Sequence, residues 1–472
     1  MISSHIFRLY DIRGKVTDLN YGLVYNIGYH FTKMNIANSN TDKVCIAYDS
    51  RLSSRGLLKH LSAGIIAAKG KICALGLIPT PALYFADKYF ASAISVMITG
   101  SHNPIDENGF KLVKGGISFF GDQIADLRNA IEGDYQDYQE FNAKNDEYIE
   151  FDIRSKYTER ILRDIVVNPE LKIAWDISNG AASSIVSFLN NSLSNHNIFI
   201  NKKSDGTFPA HSPDPTKASN LEQLIDVMSS ERCDFGVAFD GDADRLVVIT
   251  KSRQILRGDQ LSYVFIKSLL IPEFNRYLKY NGESVVVDIK TSKMIIDKIQ
   301  SLGVNVVITK TGHPFIKKSM KDAQAIFGGE MSGHMFFADK YDGYDDGIYA
   351  ALRLIDLVSR FGNVLDQWIE PLLSINSTPE IKIAVNNSAI KFQTIDKMKE
   401  YLRDKQIQFN NIDGIRVEYE YGWWLIRASN TEDFLVVRFE ANNSNDLESI
   451  RSYIISLFIE CNFSKKDLLP LF

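Results

Sequence analysis

Strand and helix patterns alternate along this 472-residue chain in three successive units, and that recurrence fixes the fold class before any single motif is considered. In the first unit Val44 to Tyr48 reads as a buried strand, Leu57 to Ala68 has helical apolar spacing, and Lys71 to Leu75 and Ile94 to Thr99 read as further strands. The second runs from strand Lys172 to Trp175 through helix Ala181 to Leu193, strand Ile198 to Ile200 and helix Leu221 to Ser230 to strand Phe235 to Phe239. The third comprises strand Ser284 to Ile289, helix Lys293 to Leu302, strand Val304 to Thr309, helix Phe315 to Lys321 and strand Ala325 to Phe327. The period is too long for a solenoid, so three domains of similar α/β topology are expected. The polar stretch Gly133 to Tyr148 marks a boundary after the first.

The last part has another rhythm. After the helical stretch Asp345 to Phe361 come strand Ile381 to Val385, helix Asp396 to Arg403, strands Ile415 to Tyr419, Trp423 to Arg427 and Leu435 to Phe439, and a final helix from Asp446. This reads as a smaller α+β domain, able to act as a lid. The expected domains are residues 1–148, 149–252, 253–366 and 367–472.

Position gives the recurrence chemical meaning. The last strand of each unit runs straight into its most unusual loop: Thr99-Gly100-Ser101-His102-Asn103-Pro104, then Asp240-Gly241-Asp242-Ala243-Asp244, then Gly328-Gly329-Glu330-Met331-Ser332-Gly333-His334. Ligands of open α/β sheets bind beyond the carboxyl ends of strands. Three sheets offering those ends to one cleft would build a composite site.

The aspartates point to a metal. Asp240, Asp242 and Asp244 alternate directly after a buried strand, so a tight loop can converge three carboxylates. Their mutual repulsion is relieved by a hard divalent cation such as Mg²⁺, which suits phosphoryl chemistry. An EF-hand loop would need Gly and Glu where Arg245 and Lys251 stand. Ser101, in a Gly-Ser-His-Asn-Pro turn, can act as a nucleophile or phosphate carrier. Lys111 in Asn108-Gly109-Phe110-Lys111 could neutralise charge or move a proton beside it, and Arg245 could clamp a transferring phosphoryl. Arg427-Ala428-Ser429-Asn430-Thr431 supplies a guanidinium, two hydroxyls and an amide, a donor set for a dianionic phosphate.

Several classes are excluded. The net charge of -5 argues against non-specific nucleic-acid binding. Gly64 to Lys71 fails as a nucleotide phosphate loop, because its glycine spacing is one too long and Ile72 replaces Ser or Thr; no G-x-G-x-x-G follows a strand. Cys45, Cys73, Cys233 and Cys461 show no C-x-x-C spacing, which fits a reducing compartment. With no signal-peptide pattern and no apolar run long enough to span a bilayer, a cytoplasmic location is expected.

The combination is more specific than its parts. Phe7-Arg8-Leu9-Tyr10-Asp11-Ile12-Arg13-Gly14, the Ser101 loop with its NGFK segment, Asp205-Gly206-Thr207-Phe208-Pro209, the aspartate loop, Lys310-Thr311-Gly312-His313, the Glu330 loop and the Arg427 loop occur in that order. Together they resemble the α-D-phosphohexomutase family, in its bacterial phosphomannomutase/phosphoglucomutase branch, over nearly the whole chain. The resemblance implies four domains around a central cleft and reversible interconversion of mannose or glucose 6-phosphate and 1-phosphate through a 1,6-bisphosphate. It also implies roles. Ser101 would be the phosphoserine, holding Mg²⁺ with Asp240, Asp242 and Asp244. Glu330, Ser332 and His334 would meet the substrate, the first two at its sugar hydroxyls. Arg427, Ser429, Asn430 and Thr431 would grip the non-reacting phosphate with Tyr10 and Lys290. Arg13, Lys111, Arg245 and His313 would surround the transferring group, with Lys111 and His313 as proton-transfer candidates. Glucose or mannose 1,6-bisphosphate would be the activator, the partner is a small sugar phosphate and not a membrane, and monomer and dimer both stay open.

Two positions depart from the family pattern: Asp433 stands where proline is frequent and Pro314 where serine is frequent. Two rivals are weighed beside the mutase. A haloacid-dehalogenase-type phosphotransferase would use Asp240 as nucleophile, but places Thr or Val where Asp244 stands. A silent sugar-phosphate-binding protein would not need the intact nucleophile, metal ligands and sugar loop.

Overall fold

The computed structural model describes residues 4–37, 39–140, 147–272, 282–385, 388–429 and 433–471. The chain divides into two compact units, Met1–Leu261 with Ser332–Asp366, and Ser262–Met331 with Gln367–Phe472.

The first unit carries two mixed sheets. In one, Ile94–Ile98, Lys43–Tyr48, Lys71–Leu77 and Tyr148–Glu150 run parallel in that order. Glu107–Lys114 pairs antiparallel with Ile94–Ile98, and Ile12–Lys15 with Glu107–Lys114. In the other, Phe235–Phe239, Lys172–Asp176 and His196–Ile200 are parallel, with Leu246–Ile249 antiparallel at the outer side. The second unit repeats the theme: Phe327–Gly329, Ser284–Asp288 and Asn305–Thr309 are parallel in that order. The last strand of each repeat thus lies beside the first, and the second pairs with the first on its other side. The expected recurrence is real at the level of strand order.

Burial explains the strands. Ile94, Val96, Ile98, Val44 and Ile46 are sealed in one core with Phe31 and Phe110, and Phe235, Val237 and Phe239 are equally buried. Near-continuous apolar runs are what parallel strands covered on both faces require. The stretch Ala181 to Leu193 departs from a plain helix. It begins as a 3₁₀ turn, Ala181–Ile185, and continues as a helix over Val186–Ser192. The reason is a tether: the Ala181 amide donates to the Gly241 carbonyl at 2.8 Å, so the first turn is held by the aspartate loop.

The C-terminal sheet is antiparallel, with Phe434–Ala441 central among Gly422–Ala428, Asn376–Ser377 and Ile381–Ala384, and Ile415–Tyr419 beyond. It is bolted to the third repeat. Arg416 donates to the carbonyls of Ile289 at 2.6 Å and Thr291 at 2.7 Å, and the Ser292 hydroxyl donates to Glu440 at 2.8 Å. Among the described residues no helix is long and apolar enough to cross a membrane.

Candidate active site

Three adjacent strands of the first sheet deliver the first group of side chains. Ile94–Ile98 leads into Ser101, Glu107–Lys114 carries Lys111, and Ile12–Lys15 carries Arg13. Arg13 donates to Asn103 Oδ1 at 2.7 Å and to Asp11 Oδ2 at 2.6 Å, so it is already tied to the Ser101 loop. Tyr10 sits half-buried in the bend just ahead of that strand.

Ser101 is 1% exposed and adopts φ 49°, a left-handed conformation that side chains other than glycine enter at a cost. Its hydroxyl donates to Asp240 Oδ2 at 2.6 Å and lies 3.1 Å from His102 Nδ1. With the hydroxyl proton on Asp240, His102 Nδ1 must donate. Burial, then the charges of Arg245 and Arg13, push His102 far below ordinary histidine basicity, so its ring is neutral. Gly241 allows this closeness: a Cβ there would sit 2.5 Å from the Ser101 carbonyl oxygen.

The three aspartates converge as expected. One oxygen of each lies within 4.8 Å of the others, and all three side chains are buried. Lys111 Nζ pairs with Asp242 Oδ2 at 2.6 Å and with Asp244 Oδ2, and the Thr80 hydroxyl donates to Asp242 Oδ2 at 2.5 Å. Burial works against the charges of Asp242 and Lys111. Their mutual attraction outweighs it, holding the carboxyl below and the ammonium above their ordinary values. For Asp240 the balance reverses: burial, then the charges of Asp242 and Asp244, push its carboxyl well above the usual range despite the opposing charges of Arg245 and Lys111. Oδ1 of Asp242 and Oδ1 of Asp244 are buried without a hydrogen-bond partner. Orphaned oxygens on a surplus of carboxylates fit a hard divalent cation.

Arg245 and His334 close this group. Arg245 Nε donates to His334 Nε2 at 3.0 Å, which leaves the imidazole proton on Nδ1, 3.3 Å from Asp345 Oδ2 and 3.7 Å from Asp244 Oδ1. Ser332, at the start of the same segment, has a hydroxyl that is buried without a partner.

The second unit assembles the other candidates. Lys290 follows the strand Ser284–Asp288 and pairs with Glu380 at 2.9 Å, with Asp288 3.8 Å away. Glu330 follows Phe327–Gly329, is buried, and leaves Oε2 without a partner. His313 opens the helix His313–Asp322, where Pro314 costs no hydrogen bond because the first turn has unused N–H groups. Arg427 ends the strand Gly422–Ala428 and donates to Asp413 at 3.0 Å; the Ser429 amide donates to the Phe434 carbonyl at 3.0 Å. Asp433 lies 3.5 Å from Lys391. Asn430 and Thr431 lie outside the described residues.

Four phosphoglucomutase/phosphomannomutase domain models match the chain in order: α/β/α domain I at residues 4–137, domain II at 155–253, domain III at 257–374 and the C-terminal domain at 380–457. The chain belongs to this family. A phosphomannomutase/phosphoglucomutase of Pseudomonas syringae pv. tomato is 38% identical over 94% of this chain and 93% of its own. A phosphoglucomutase of Neisseria meningitidis is 36% identical over 96% of both. A phosphoglucomutase/phosphomannomutase family protein of Burkholderia thailandensis has a crystal structure that superposes with a TM-score of 0.86, at 32% identity and 97% coverage of each chain. The family's fold accounts for the repeated domains.

Several partners of these candidate residues were not readable from sequence. Asp345 faces His334, Glu380 and Asp413 hold Lys290 and Arg427, and Asp49 and Arg51 grip the Ser101 loop. None stands in a motif that names its task. The only signal was the abundance of charged residues in segments the fold buries.

Proposed function

We propose that this chain interconverts hexose 6-phosphate and hexose 1-phosphate, with mannose and glucose as the sugars, by lending a phosphoryl group from Ser101 and taking another back. The observation that carries the reading is the Ser101 hydroxyl, buried and 2.6 Å from a carboxylate of a three-aspartate cluster whose inner oxygens lack partners.

Asp240, Asp242 and Asp244, with a phosphoserine oxygen, would hold Mg²⁺. Bound there, the ion supplies positive charge for oxygens that gain negative charge as a phosphoryl moves. Lys111, paired with Asp242 and Asp244, is placed to neutralise charge, and Lys111 and His313 are the proton-transfer candidates. Arg13, bonded to Asn103 of the Ser101 loop, and Arg245, 4.0 Å from Asp240, add guanidinium charge near Ser101. Burial of Ser101 keeps water from the phosphoserine while it waits for sugar.

The sugar is read by a carboxylate and a hydroxyl. Glu330 Oε2 and Ser332 Oγ are both buried with unmet hydrogen-bonding capacity, which suits sugar hydroxyls. When a 1,6-bisphosphate turns over, its 3- and 4-hydroxyls exchange places, and this pair can hold either arrangement. Glucose and mannose differ only at carbon 2, so both should be accepted. Arg427, Ser429, Asn430, Thr431, Tyr10 and Lys290 would bind the phosphate that is not reacting, and His334 contacts the substrate beside Glu330 and Ser332. Residues 1–148, 149–252, 253–366 and 367–472 are taken as its domains. The dehalogenase-type rival loses ground, because Asp240 Oδ2 already accepts a hydrogen bond from the Ser101 hydroxyl at 2.6 Å.

The test is a coupled assay with Mg²⁺ and trace glucose 1,6-bisphosphate. Turnover of both mannose 1-phosphate and glucose 1-phosphate, with glucosamine 1-phosphate much slower, is expected. Tight hexose-phosphate binding with no turnover would establish a silent binding protein instead.

A further inference from the structure

We propose that Arg51 is a positioning residue that fixes the Ser101 loop for phosphoryl transfer, and that the loop Asp205 to Pro209 of the second repeat holds Arg51 in place. The inference rests on the mutase reading of Ser101.

Arg51 is 2% exposed. Its guanidinium is spent on main-chain carbonyls of the Ser101 segment. Nη2 donates to Ser101 at 2.9 Å and Asn103 at 2.6 Å; Nη1 donates to Pro104 at 2.5 Å and Glu107 at 2.8 Å. Asp49, 3.3 Å from Arg51 Nε, grips the other polarity of the same segment. Its Oδ2 accepts the Thr99 hydroxyl at 2.8 Å and the Gly100 amide at 3.1 Å. One buried ion pair therefore takes the loop by its carbonyls and its N–H groups together. Gly100 is packed so closely that a Cβ would sit 2.4 Å from Arg51 Nε.

Only a fork of fixed geometry can do this. Guanidinium presents five N–H donors in one plane, while a lysine ammonium is a point charge with three. Four carbonyl anchors also explain how Ser101 is kept at its positive φ, which an unrestrained serine would leave.

The Asp205-Gly206-Thr207-Phe208-Pro209 loop packs against Arg51 and its neighbours. The Phe208 ring centre lies 5.4 Å from the Arg51 guanidinium carbon, and the Ser204 hydroxyl donates to the Ser50 hydroxyl at 2.9 Å. A Cβ on Gly206 would lie 2.4 Å from the Ser50 carbonyl oxygen and 2.6 Å from the Leu52 amide nitrogen. This loop is pressed against the backbone on both sides of Arg51. The two repeats thus meet behind the nucleophile as well as in front of it, where Gly241 touches Ser101.

The experiment uses the full chain with Mg²⁺. Arg51→Lys and Phe208→Leu are compared with wild type for kcat and KM on glucose 1-phosphate, for melting temperature, and for the half-life of ³²P placed on Ser101 by glucose 1,6-bisphosphate. Displacing reacting atoms by about 1 Å costs roughly 100-fold. Arg51→Lys should lower kcat by roughly 10–100-fold with KM within about threefold, and change the label's half-life in water by at least about threefold. Phe208→Leu should do the same more weakly, by about three- to tenfold, with little change in melting temperature. A folded Arg51→Lys with wild-type kcat and label half-life would overturn the role of Arg51. So would losses that merely track the folded fraction. If Arg51→Lys does not fold, Phe208→Leu decides, and wild-type kcat there overturns the proposal. A wild-type protein that turns over no hexose phosphate and takes no label on Ser101 would overturn the functional reading itself.

Discussion

The group around Ser101 and the group around Lys290 and Arg427 handle charge in opposite ways. Around Ser101 the carboxylates are in surplus, and their positions are set by main chain: Gly241 against the Ser101 carbonyl, the Thr80 amide on the Asp242 carbonyl, the Arg245 amide 3.3 Å from Asp240 Oδ1. Around Lys290 and Arg427 long cationic side chains rest on carboxylates, Lys290 on Glu380 with Asp288 3.8 Å away, and Arg427 on Asp413. The first arrangement suits a reacting centre, where error in position costs rate. The second would suit the grip proposed for a turning bisphosphate, because an anionic ligand can take the place of a carboxylate on either cation.

The contrast can be broken in order of expected effect. Ser101→Ala should lower kcat/KM by roughly 10⁴-fold or more, with an unchanged melting temperature, because in the proposed reaction both transfers pass through that oxygen. Residual turnover near wild type in a steady-state assay would end the nucleophile assignment. Asp242→Asn or Asp244→Asn should cost roughly 10²–10³ in kcat, and removal of divalent metal by EDTA should abolish activity until Mg²⁺ is restored. Activity indifferent to both would mean the cluster is structural. Arg427→Ala should instead act on binding, raising KM for glucose 1-phosphate by about 10–100-fold with kcat within about threefold, the expected loss of a charge-assisted phosphate contact. A loss falling mainly on kcat would erase the distinction between the two groups.

The smallest effect is on stability. Lys290 beside it, against the opposing pull of burial, holds the Glu380 carboxyl down at about 2 from its ordinary 4.5. A carboxyl depressed in the folded state stabilises the fold above its unfolded value and loses that contribution as pH falls toward 2. The wild-type melting temperature should therefore exceed that of Glu380→Gln by a constant margin above pH 5, and the margin should shrink below about pH 4. With 35% of the Glu380 side chain exposed, solvent screening keeps it within about 2 °C. A margin that grows in acid would show the pair to be misassigned.

What could be read from sequence depended on range. Phe235–Phe239 matches its expected bounds and Ile94–Ile98 nearly does, because apolar runs and Gly, Asp and Pro signals are local, whereas the third strand, expected over Ala325 to Phe327, runs Phe327–Gly329 and takes in two glycines assigned to the loop. The Arg51 clamp was invisible: its four acceptors are main-chain carbonyls about fifty residues away, and carbonyls leave no mark in a sequence. Glu380 and Asp413 were missed for a related reason, since a lone acidic residue in a polar stretch is identical on paper to a solvated one. The helix Tyr21–Ile36 escaped too; Asn26, His30 and Asn35 are buried in it and blur the apolar stripe that marks a helix.

The central claim is that Ser101 carries the phosphoryl that the product receives. The direct measurement is a pulse and chase: label the protein with ³²P from glucose 1,6-bisphosphate, locate the label by peptide mapping, then add unlabelled glucose 1-phosphate and follow the counts. Label on Ser101, stable in acid and leaving in glucose 6-phosphate or the bisphosphate as fast as the enzyme turns over, is the expected result. Label on Asp240 as a base-labile acyl phosphate, or label on Ser101 that stays behind while product forms, would contradict it.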